Sequence, residues 1–577
     1  MPVVGCTPHT ENEGGAMTRT PTTDISQETR RVARDAFGWE DLHDAQVEAI
    51  EAVVSGRDTL VVLPTGYGKS AIYQVAGALL DGPVVVVSPL ISLQADQVAG
   101  LVGRPDAPPA AAVNSGRSNA ENEAAWNAWD RGDITYFFLS PEQLAVDAAI
   151  DRLSRARVGL FVVDEAHSVS SWGHDFRPDY LHLGEYVERL GRPPVLALTA
   201  TGSGPVRDEI VERLHLDEPL VLVRGFDRPN LALAVERHEE ASEKREAVLA
   251  DVRASAGPGI LYVATRREAD AYASELSEGG ATVASYHAGL GSGERGRIHE
   301  RFHLGDIDVV VATSAFGMGI DKPDVRFVVH ADIPDSLESY YQEIGRAGRD
   351  GEPSEVTLHY REEDLGLRTF FASGLPSLGE LARLFAVLAD AARFVSRSRL
   401  AAASGLAVRR SGRLLDLLVE SGSVTENRRG VRARKGIEPR DASRRARDIA
   451  ESRERVEKSR IDMMRGYAET QGCRRHFLLA YFGEESPERC GTCDTCVSGA
   501  ADETLARVAD PSTPVSPAPF ADPFPPETAV VHPTWGDGTV VSVEDDRLTV
   551  FFDREGYKVL SRGAIADGDL LAVRDPS

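Results

Sequence analysis

The sequence predicts an α/β protein with two parallel-sheet lobes, followed by a helical insert, a cysteine-bearing module and a small β-barrel. Short apolar runs alternate with helical stretches over two consecutive parts of the chain, as is typical of parallel sheets. Four of the five cysteines lie between residues 473 and 496. The last 50 residues alternate in the manner of strands. A chain of 577 residues is also too long for one hydrophobic core.

Short runs, most of them rich in β-branched or aromatic residues, predict the strands of both lobes. Each run is followed by a turn or a helical stretch, which favours parallel pairing. Two such series joined near Gly225–Asn230 imply two similar lobes with a cleft between them. The predicted strands of the first lobe are Thr59–Leu63, Val84–Ser88, Thr135–Leu139, Gly159–Val163 and Val195–Thr199. Those of the second lobe are Gly259–Val263, Thr282–Tyr286, Val309–Ala312 and Phe327–His330.

Changes in composition divide the chain into seven segments. The first is expected to be disordered, because it is rich in Thr, Glu, Gly and Pro and lacks periodicity. The sixth is rich in Pro, Ala and Asp and is expected to be a linker. The segments are the leader (1–25), the first lobe (26–222), the second lobe (223–374), a winged-helix-like insert (375–440), a helical module with the cysteines (441–498), the linker (499–527) and the barrel (528–577).

The charge of the whole chain does not identify its partners. The net charge is −26 and the isoelectric point about 5.0, which by itself argues against binding to a phosphate backbone. Residues 405–465 nevertheless contain 17 Lys and Arg against 10 Asp and Glu, and such a basic segment is a plausible DNA footprint. The alternative for this segment is a dimerisation domain or a purely packing helical domain.

The sequence contains neither an apolar run of about 18 residues nor an apolar core near its N-terminus. We therefore expect a cytoplasmic protein that does not enter a membrane. Clustered cysteines in a reducing compartment indicate a metal site rather than a disulfide framework.

The segment Pro64–Ser70 has the composition of a phosphate-binding loop, and it follows the strand Thr59–Leu63 directly. Its glycines allow backbone N–H groups to surround phosphate oxygens. Lys69 is expected to meet the β- and γ-phosphates, and the Ser70 hydroxyl is expected to bind Mg²⁺. Leu63 stands where the commonest pattern has glycine, so the alternative is a Gly-rich turn that happens to contain Lys-Ser.

Asp164 and Glu165 end another strand of the same predicted sheet. A carboxylate at this edge can hold hydrated Mg²⁺, and its neighbour can polarise the attacking water. The alternative is a pair of acids in the first turn of a helix. Their place in the same sheet as a phosphate loop favours the catalytic interpretation.

Arg346 and Arg349 lie three residues apart in the second lobe and are flanked by glycines. Such arginines can reach across a cleft to the γ-phosphate as arginine fingers. The alternative is a solvated helix face. With the phosphate loop in the first lobe, these arginines would complete a site that forms only when the lobes close.

The ordered series of motifs resembles that of superfamily 2 helicases and, among them, the RecQ family. The resemblance covers residues 30–370 and resumes at 465–496. It implies two RecA-like lobes and a monomeric, ATP-dependent 3′→5′ DNA helicase. Such an enzyme translocates on single-stranded DNA and unwinds forked DNA in repair and recombination. The motifs are Gln46, Pro64–Ser70, Ser88–Leu93, Leu139–Glu142, Asp164–His167, Leu198–Thr201, Phe316–Lys322 and Gln342–Arg349.

The segment Ser171–Pro178 resembles the aromatic-rich loop that senses single-stranded DNA in the RecQ family. Trp172 and Phe176 offer ring faces to bases, and Arg177 offers a phosphate or base contact. His174 belongs to the same expected DNA-sensing set. The alternative is a buried aromatic turn.

The same resemblance implies roles for individual residues. Lys69 and Ser70 bind phosphate and Mg²⁺, Asp164 holds the metal, and Glu165 is the base. His167 couples the site to the DNA loop, and Arg349 is the more critical of the two fingers. The remaining nucleotide contacts are Trp39, which stacks, Gln46, which reads adenine, and Thr65, Gly66, Gly68, Asp321 and Gln342. His43 stands where the family usually has arginine, which puts the adenine contacts in doubt.

Cys473, Cys490, Cys493 and Cys496 offer four thiolates to one tetrahedral ion and resemble the RecQ zinc module. Four protein ligands leave no open position, so this Zn²⁺ is expected to be structural. His476 is a fallback ligand. No winged helix follows Cys496; the insert before the cysteines resembles a helix-turn-helix with a wing and is expected to grip duplex DNA.

The tail from residue 528 resembles an SH3/Tudor-like barrel of the kind found at the end of UvrD-type helicases. From residue 529 it has nine acidic against five basic residues, which favours a protein partner, with RNA polymerase as an analogy only. Two alternatives to the helicase remain. One is a DNA-stimulated translocase that separates strands poorly, and the other is a nonenzymatic DNA-binding scaffold.

Overall fold

The structure is a computed structural model that describes most of the chain. The predicted leader lies outside the described residues except for Ile25, which begins a helix. The described residues are 25–89, 91–144, 147–170, 180–316, 322–366, 374–391, 393–427, 430–484, 486–508, 524–526, 528–543, 547–562, 565 and 570–574.

The first lobe is a parallel sheet flanked by helices. Its strands are β1 (Thr59–Val62), β2 (Val84–Val87), β3 (Ala110–Val113), β4 (Tyr136–Leu139), β5 (Leu160–Val163), β6 (Val195–Thr199) and β7 (Leu220–Val223). Its helices are α1 (Ile25–Phe37), α2 (Asp44–Val54), α3 (Lys69–Leu79), α4 (Ile91–Val102), α5 (Asn119–Asp130), α6 (Pro141–Leu144), α7 (Asp147–Leu153), α8 (Leu183–Arg189) and α9 (Gly204–Arg213), with a 3₁₀ turn at Ala166–Val169. The strand order is β3-β4-β2-β5-β6-β1-β7, with parallel pairing throughout. The five central strands are apolar and buried on both faces, as helix-covered parallel strands require.

The second lobe repeats this architecture with six parallel strands. Its strands are β8 (Leu231–Arg237), β9 (Gly259–Tyr262), β10 (Val283–Tyr286), β11 (Val309–Ala312), β12 (Phe327–His330) and β13 (Ser354–Tyr360). Its helices are α10 (Ala241–Ala254), α11 (Arg266–Glu278), α12 (Ser292–Leu304) and α13 (Leu337–Ile344), with a 3₁₀ turn at Glu362–Asp364. The order is β10-β11-β9-β12-β13-β8.

All nine predicted strands are confirmed, with bounds that differ by at most one residue. The sequence missed β3, β7, β8 and β13. Strand β3 is an edge strand that begins with three alanines, so β-branched enrichment could not reveal it. Strands β8 and β13 carry polar residues and pair only with each other and with β12.

The insert has a hydrophobic core of its own, which includes Leu384, Leu415 and Val431. A hairpin follows three helices, as the winged-helix-like prediction expected, and Gly405 makes the tight turn between the second and third helices with φ of 69°. The elements are α14 (Leu378–Ala389), α15 (Arg397–Ser404), α16 (Val408–Glu420), β14 (Val424–Asn427) and β15 (Gly430–Ala433).

A continuous helix of 31 residues, α17 (Pro439–Glu469), connects the insert with the rest of the protein. Ala442 and Ala446 near its start belong to the insert core, whereas Met464 and Tyr467 near its end belong to the core shared by the lobes. The predicted boundary between residues 440 and 441 therefore falls inside one helix.

The cysteine module continues with α18 (Arg474–Tyr481), α19 (Asp494–Ser498) and α20 (Ala500–Val508). The linker predicted for residues 499–527 is thus helical over its first part. Helix α20 has Asp502 and Glu503 in its first turn and is otherwise rich in alanine, a composition that stabilises a helix. Residues 509–523 and 527 of the predicted linker lie outside the described residues.

The tail is a five-stranded antiparallel sheet. Its strands are β16 (Ala529–His532), β17 (Gly536–Val543), β18 (Arg547–Phe552), β19 (Gly556–Ser561) and β20 (Ala572–Val573). The order is β19-β18-β17-β16-β20, and in the described part of the tail no pairing joins β19 to β20 to close a barrel. None of the described helices combines the length and apolar character needed to cross a bilayer.

Candidate functional site

The predicted phosphate-binding loop lies between β1 and α3. Gly66 and Gly68 have positive φ angles of 87° and 77°, which residues with a Cβ rarely adopt. Lys69 begins α3, and its ammonium donates to the carbonyl oxygens of Leu63 and Pro64 at 2.9 and 3.2 Å. The loop therefore presents a buried cation at the N-terminus of a helix, where the backbone also favours anions.

Gln46, the predicted adenine contact, holds the phosphate loop in this structure. Its Nε2 donates to the carbonyl oxygens of Tyr67 and Gly68 at 3.1 and 2.9 Å. Its Oε1 accepts from the backbone N–H of His43 at 2.8 Å, and the His43 and Tyr67 rings lie 4.3 Å apart. The histidine that departs from the family pattern is thus part of the support of the loop.

Asp164 and Glu165 follow β5, as the sequence predicted. The backbone N–H of Glu165 donates to one carboxylate oxygen of Asp164 at 3.0 Å, and the Ser88 hydroxyl donates to the other at 3.4 Å. Burial and the neighbouring Glu165 carboxylate raise the pKa of Asp164 to about 7. Two half-buried carboxylates side by side favour a nearby cation, so this pair and the Ser70 hydroxyl fit a divalent ion that prefers oxygen ligands.

The charges of the two motifs act on each other. Burial lowers the pKa of Lys69, whereas the Glu165 and Asp164 carboxylates raise it, and the Arg349 guanidinium lowers it further. A buried lysine, two carboxylates and an arginine from the other lobe therefore share one electrostatic environment.

Glu165 has a left-handed backbone conformation, with φ of 50° and ψ of 49°. A residue with a Cβ pays roughly 1–2 kcal/mol for this conformation. The side chain is 14% exposed, and one carboxylate oxygen lies 3.4 Å from His167 Nδ1. The fold therefore holds this carboxylate in a strained position at the carboxyl edge of the sheet, as functional sites often do.

His167 connects the acid pair with the end of β6. The Thr199 hydroxyl donates to the Thr201 carbonyl oxygen at 2.8 Å, so its own oxygen must accept from other groups. His167 Nδ1 lies 3.0 Å from that oxygen and therefore carries the proton. A chain of contacts thus runs from Glu165 through His167 to the segment Thr199–Thr201.

Arg349 of the second lobe lies against the phosphate loop of the first. A Cβ placed on Gly66 would be 3.4 Å from the Cγ and Cδ atoms of Arg349 and 3.6 Å from its Nε. Distances of 3.4–3.6 Å are ordinary van der Waals separations, so Arg349 lies directly beside Gly66. The two predicted half-sites therefore face each other across the cleft.

The turn that carries Arg349 is held by two side chains that the sequence analysis missed. Arg228 donates to the carbonyl oxygens of Ala347 and Gly348, both at 2.9 Å, and Asn230 donates to that of Gly348 at 2.8 Å. Gly348 has a φ of 56°, and a Cβ there would lie 2.3 Å from the Asn230 amide nitrogen. The only sequence signal for these contacts was their place in the connection between the lobes.

Arg346, the other predicted finger, has different surroundings. It is 2% exposed and lies inside the second lobe, close enough to the Tyr262 phenol for its charge to act on that group. Burial raises the pKa of Tyr262, whereas the Arg346 charge lowers it. The side chain found against the loop is that of Arg349, and Arg346 belongs to the interior behind it.

The remaining predicted nucleotide contacts lie around the same cleft or outside the described residues. Trp39 is half-buried and stacks on Phe37 with ring centroids 4.9 Å apart. Thr65 lies in the phosphate loop, Ser70 in the first turn of α3, and Gln342 on α13. Asp321 lies outside the described residues.

The predicted DNA-sensing residues Trp172, His174, Phe176 and Arg177 also lie outside the described residues, but both flanks of their segment are described. The Ser170 hydroxyl donates to Glu209 of α9 at 2.7 Å. The Tyr180 hydroxyl donates to the carbonyl oxygen of Asp164 at 3.4 Å. The residue before the segment therefore contacts α9, and the residue after it contacts the backbone of the acid pair.

The four predicted metal ligands, Cys473, Cys490, Cys493 and Cys496, converge. Their sulfur atoms lie within 4.8 Å of one another. The sulfurs of Cys473 and Cys493 are 3.9 Å apart, close to the ~3.8 Å that a tetrahedral site with Zn–S bonds of ~2.3 Å requires. The backbone N–H groups of Cys490 and Cys493 each donate to a sulfur at 3.3 Å, which stabilises thiolates. This donor set fits zinc.

The residues next to the first cysteine support the module. Arg474 is 3% exposed and donates to Asp494 at 2.6 Å and to the Tyr467 carbonyl oxygen at 2.9 Å. His476 Nδ1 lies 3.1 Å from the Ser486 hydroxyl, and the described sulfur cluster is complete without it. The fallback ligand is therefore not needed.

Models of known families match four parts of the chain, which lie in the two lobes, the cysteine module and the tail. A model of DEAD/DEAH box helicases matches residues 43–209, and a model of the helicase conserved C-terminal domain matches residues 243–351. A RecQ zinc-binding model matches residues 435–497. The tail, residues 528–567, matches a family described only as a protein of unknown function (DUF3553).

Three relatives show how far the similarity extends. The ATP-dependent DNA helicase RecQ of Bacillus subtilis is 34% identical over 475 residues, which are 82% of this chain and 67% of that protein. The RecQ of Pasteurella multocida is 32% identical over 82% of this chain and 63% of its own length. The probable ATP-dependent DNA helicase RecS of Bacillus subtilis is 43% identical over 56% of this chain and 64% of its own length. The matches thus span about two thirds of these relatives.

We expect one zinc ion per chain, bound by the four cysteines. Cys493→Ala removes a ligand that is 0% exposed and should abolish zinc retention and lower the unfolding temperature, because structural zinc contributes directly to folding. Cys6→Ala, outside the cluster, is the matched control. Elemental analysis and thermal unfolding provide the measurements. Equal zinc content in Cys493→Ala and the unsubstituted protein would contradict the assignment.

Proposed function

Because the chain belongs to the RecQ family of ATP-dependent DNA helicases, we propose that it hydrolyses ATP to translocate on single-stranded DNA and to separate duplex strands. The observation that carries the proposal is the approach of Arg349 to Gly66, which makes the nucleotide site a joint product of both lobes. A 3′→5′ direction and a role in DNA repair and recombination follow from family membership and are part of the proposal.

The chemistry of hydrolysis is assigned to residues of both lobes. The backbone N–H groups after β1 and the Lys69 ammonium bind the phosphates of ATP, for which Lys69 exchanges its carbonyl partners for phosphate oxygens. Ser70 and Asp164 would hold Mg²⁺, which would neutralise charge on the phosphates. Glu165 orients the attacking water and accepts its proton, and Arg349 stabilises the charge that develops on the γ-phosphate.

Hydrolysis becomes motion because the γ-phosphate is the group that both lobes bind. With the triphosphate present, Arg349 and the phosphate loop are attracted to the same anion, and the lobes are held together. After cleavage and phosphate release this attraction is lost and the lobes can separate. DNA held by both lobes would advance with each cycle.

DNA sensing is assigned to the segment that contains Trp172, Phe176 and Arg177. Bases would stack on its aromatic rings and phosphates would pair with its arginine. Its anchors at Glu209 and at the Asp164 carbonyl oxygen support a connection between DNA contact and the acid pair.

The insert is proposed to bind duplex DNA. In a helix-turn-helix the second helix enters the major groove. Helix α16 has this position, and it exposes Arg409 and Arg413 one turn apart. Other arginines of the module are engaged in ion pairs: Arg397 pairs with Glu426 and Asp416. We therefore assign the DNA contact to the exposed face of α16 and not to the total charge of the insert.

The two alternatives make different demands on the site. A translocase with weak strand separation would use the same hydrolysis. The described residues after Cys496 form a short helix and an antiparallel sheet rather than a winged helix, which supports this alternative. A nonenzymatic scaffold would not need Lys69, Glu165 and Arg349 together at one cleft. The convergence of these residues opposes it.

Arg349→Ala should affect catalysis, whereas Arg346→Ala should affect stability. We expect Arg349→Ala to lower kcat for ATP hydrolysis about 10³-fold with little change in unfolding temperature, because it removes a group that stabilises the transition state. Arg346→Ala should lower the unfolding temperature, since it leaves a cavity where a side chain that is 2% exposed fills the interior of the second lobe. ATPase kinetics and calorimetry measure both. Equal stability losses in the two variants would contradict this division.

Unwinding of forked, 3′-tailed and 5′-tailed duplexes, measured side by side with ATP and Mg²⁺, tests the proposed activity. We expect forks and 3′ tails to be separated and 5′ tails to remain paired. Glu165→Gln is the control: it should bind ATP but hydrolyse it more slowly by a factor of about 10²–10⁴, and unwind nothing. Hydrolysis without strand separation would establish the translocase, and absence of DNA-stimulated hydrolysis would establish the scaffold.

Charge reversal on α16 tests the assignment of the insert. Arg409→Glu with Arg413→Glu should weaken duplex binding and reduce the slope of log affinity against log salt by about 1 for each lost phosphate contact. The double variant Arg31→Glu and Arg34→Glu on α1 makes the same change in net charge elsewhere. Equal affinities and slopes in the two double variants would rule out α16 as the contact.

A further inference from the structure

The tail sheet has two apolar faces, and each belongs to a different core. Val540, Val550 and Phe552 belong to the core of the tail itself. Their neighbours in sequence, Val541 and Phe551, point to the opposite face and are buried in the core that the lobes share. The tail sheet therefore packs with one of its faces against the core that the two lobes share.

One side of this contact is the helix α17. The backbone N–H of Tyr557 donates to the Ser459 hydroxyl at 2.9 Å, and a Cβ on Gly556 would lie 2.1 Å from the same oxygen. Gly556 also has a φ of 73°, so it is suited to this close approach. Arg455 donates to the Arg554 carbonyl oxygen at 2.7 Å.

Helix α17 in turn is fixed to the second lobe. The Tyr467 hydroxyl lies 3.1 Å from that of Tyr340, and both are buried. The Tyr360 hydroxyl donates to Glu469 at 2.7 Å. A group bound to α17 therefore moves together with the second lobe.

The other side of the contact is the first lobe. The Tyr557 hydroxyl donates to the Ser203 hydroxyl at 2.9 Å, and Ser203 is fully buried. Ser203 occupies the N-cap of α9, where a serine side chain usually accepts from the helix backbone. Here it makes no such bond, and its hydroxyl accepts from the tail.

The chain of contacts that begins at Glu165 ends at Thr201. Ser203 follows Thr201 by two residues in the sequence. Helix α9 also carries Glu209, which binds Ser170 next to the DNA-sensing segment. The tail therefore contacts the start of α9, a helix that follows the segment Thr199–Thr201 and carries the partner of Ser170.

We propose that the tail is an intramolecular brace between the lobes, and that Tyr557 is a positioning residue for ATP hydrolysis. It holds Ser203, and with it the start of α9 and the segment Thr199–Thr201, against a helix fixed to the second lobe. The proposal rests on the proposed ATPase function and assigns a role to a domain family of unknown function. The Tyr557 and Phe551 side chains are buried against the chain itself and are not available to a separate protein.

The test compares Tyr557→Phe with Tyr360→Phe in the full-length, zinc-loaded protein. Each substitution removes one buried hydroxyl that hydrogen-bonds across domains, but only the Tyr557 hydroxyl bonds to the first lobe. With saturating single-stranded DNA, Tyr557→Phe should lower kcat about three- to tenfold, the range that one neutral hydrogen bond supplies, with KM for ATP unchanged. Tyr360→Phe should retain kcat, because the Tyr340–Tyr467 contact and the burial of Met464 in the shared core still fix α17 to the second lobe.

Ser203→Ala should reproduce the loss, and the double variant with Tyr557→Phe should lose no more than either single variant, because both remove the same bond. The brace is wrong if Tyr557→Phe hydrolyses ATP like the unsubstituted protein, if both tyrosine variants lose kcat equally, or if kcat rises. Absence of DNA-stimulated hydrolysis in the unsubstituted protein would instead refute the proposed function, so the two failures are distinguishable.

Discussion

The protein depends on the approach of a guanidinium from one lobe to a backbone loop of the other. Arg349 lies against the phosphate loop beside Gly66, and the loop can take its shape because Gly66 and Gly68 adopt positive φ angles. Neither lobe has a complete site alone. The binding energy of a nucleotide between the lobes therefore depends on the distance between their two rigid sheets. This dependence is the physical requirement for a motor.

Helix α17 connects the insert, the second lobe and the tail. One helix of 31 residues enters the insert core with Ala442 and Ala446, the second lobe with Tyr467, and the tail with Ser459. A helix is stiff over this length because each turn is hydrogen-bonded to the next. The proposed DNA contact of the insert and the proposed brace of the tail are therefore both attached to helix α17, although they lie far apart in the sequence.

Much of the site could be predicted from the sequence because its chemistry imposes local requirements. A phosphate loop needs glycines at positive φ beside a lysine such as Lys69, and a carboxylate proposed to bind a metal, such as Asp164, needs a strand that ends just before it. A tetrahedral ion needs four thiolates at short spacing, which the cysteines from Cys473 onward supply. Buried parallel strands need continuous apolar runs, so nine strands were predicted with nearly correct bounds.

The sequence by itself thus determined the two parallel-sheet lobes, the nucleotide motifs and the cysteine cluster. Only the tertiary structure showed why Arg349 lies against the phosphate loop while Arg346, which the resemblance ranked second, does not: Arg228 and Asn230, more than a hundred residues away, hold the turn that carries Arg349. It also decided that the tail packs on the motor through Tyr557. Both outcomes rest on contacts between residues distant in the chain, and such contacts leave no periodicity or spacing that a sequence pattern can record.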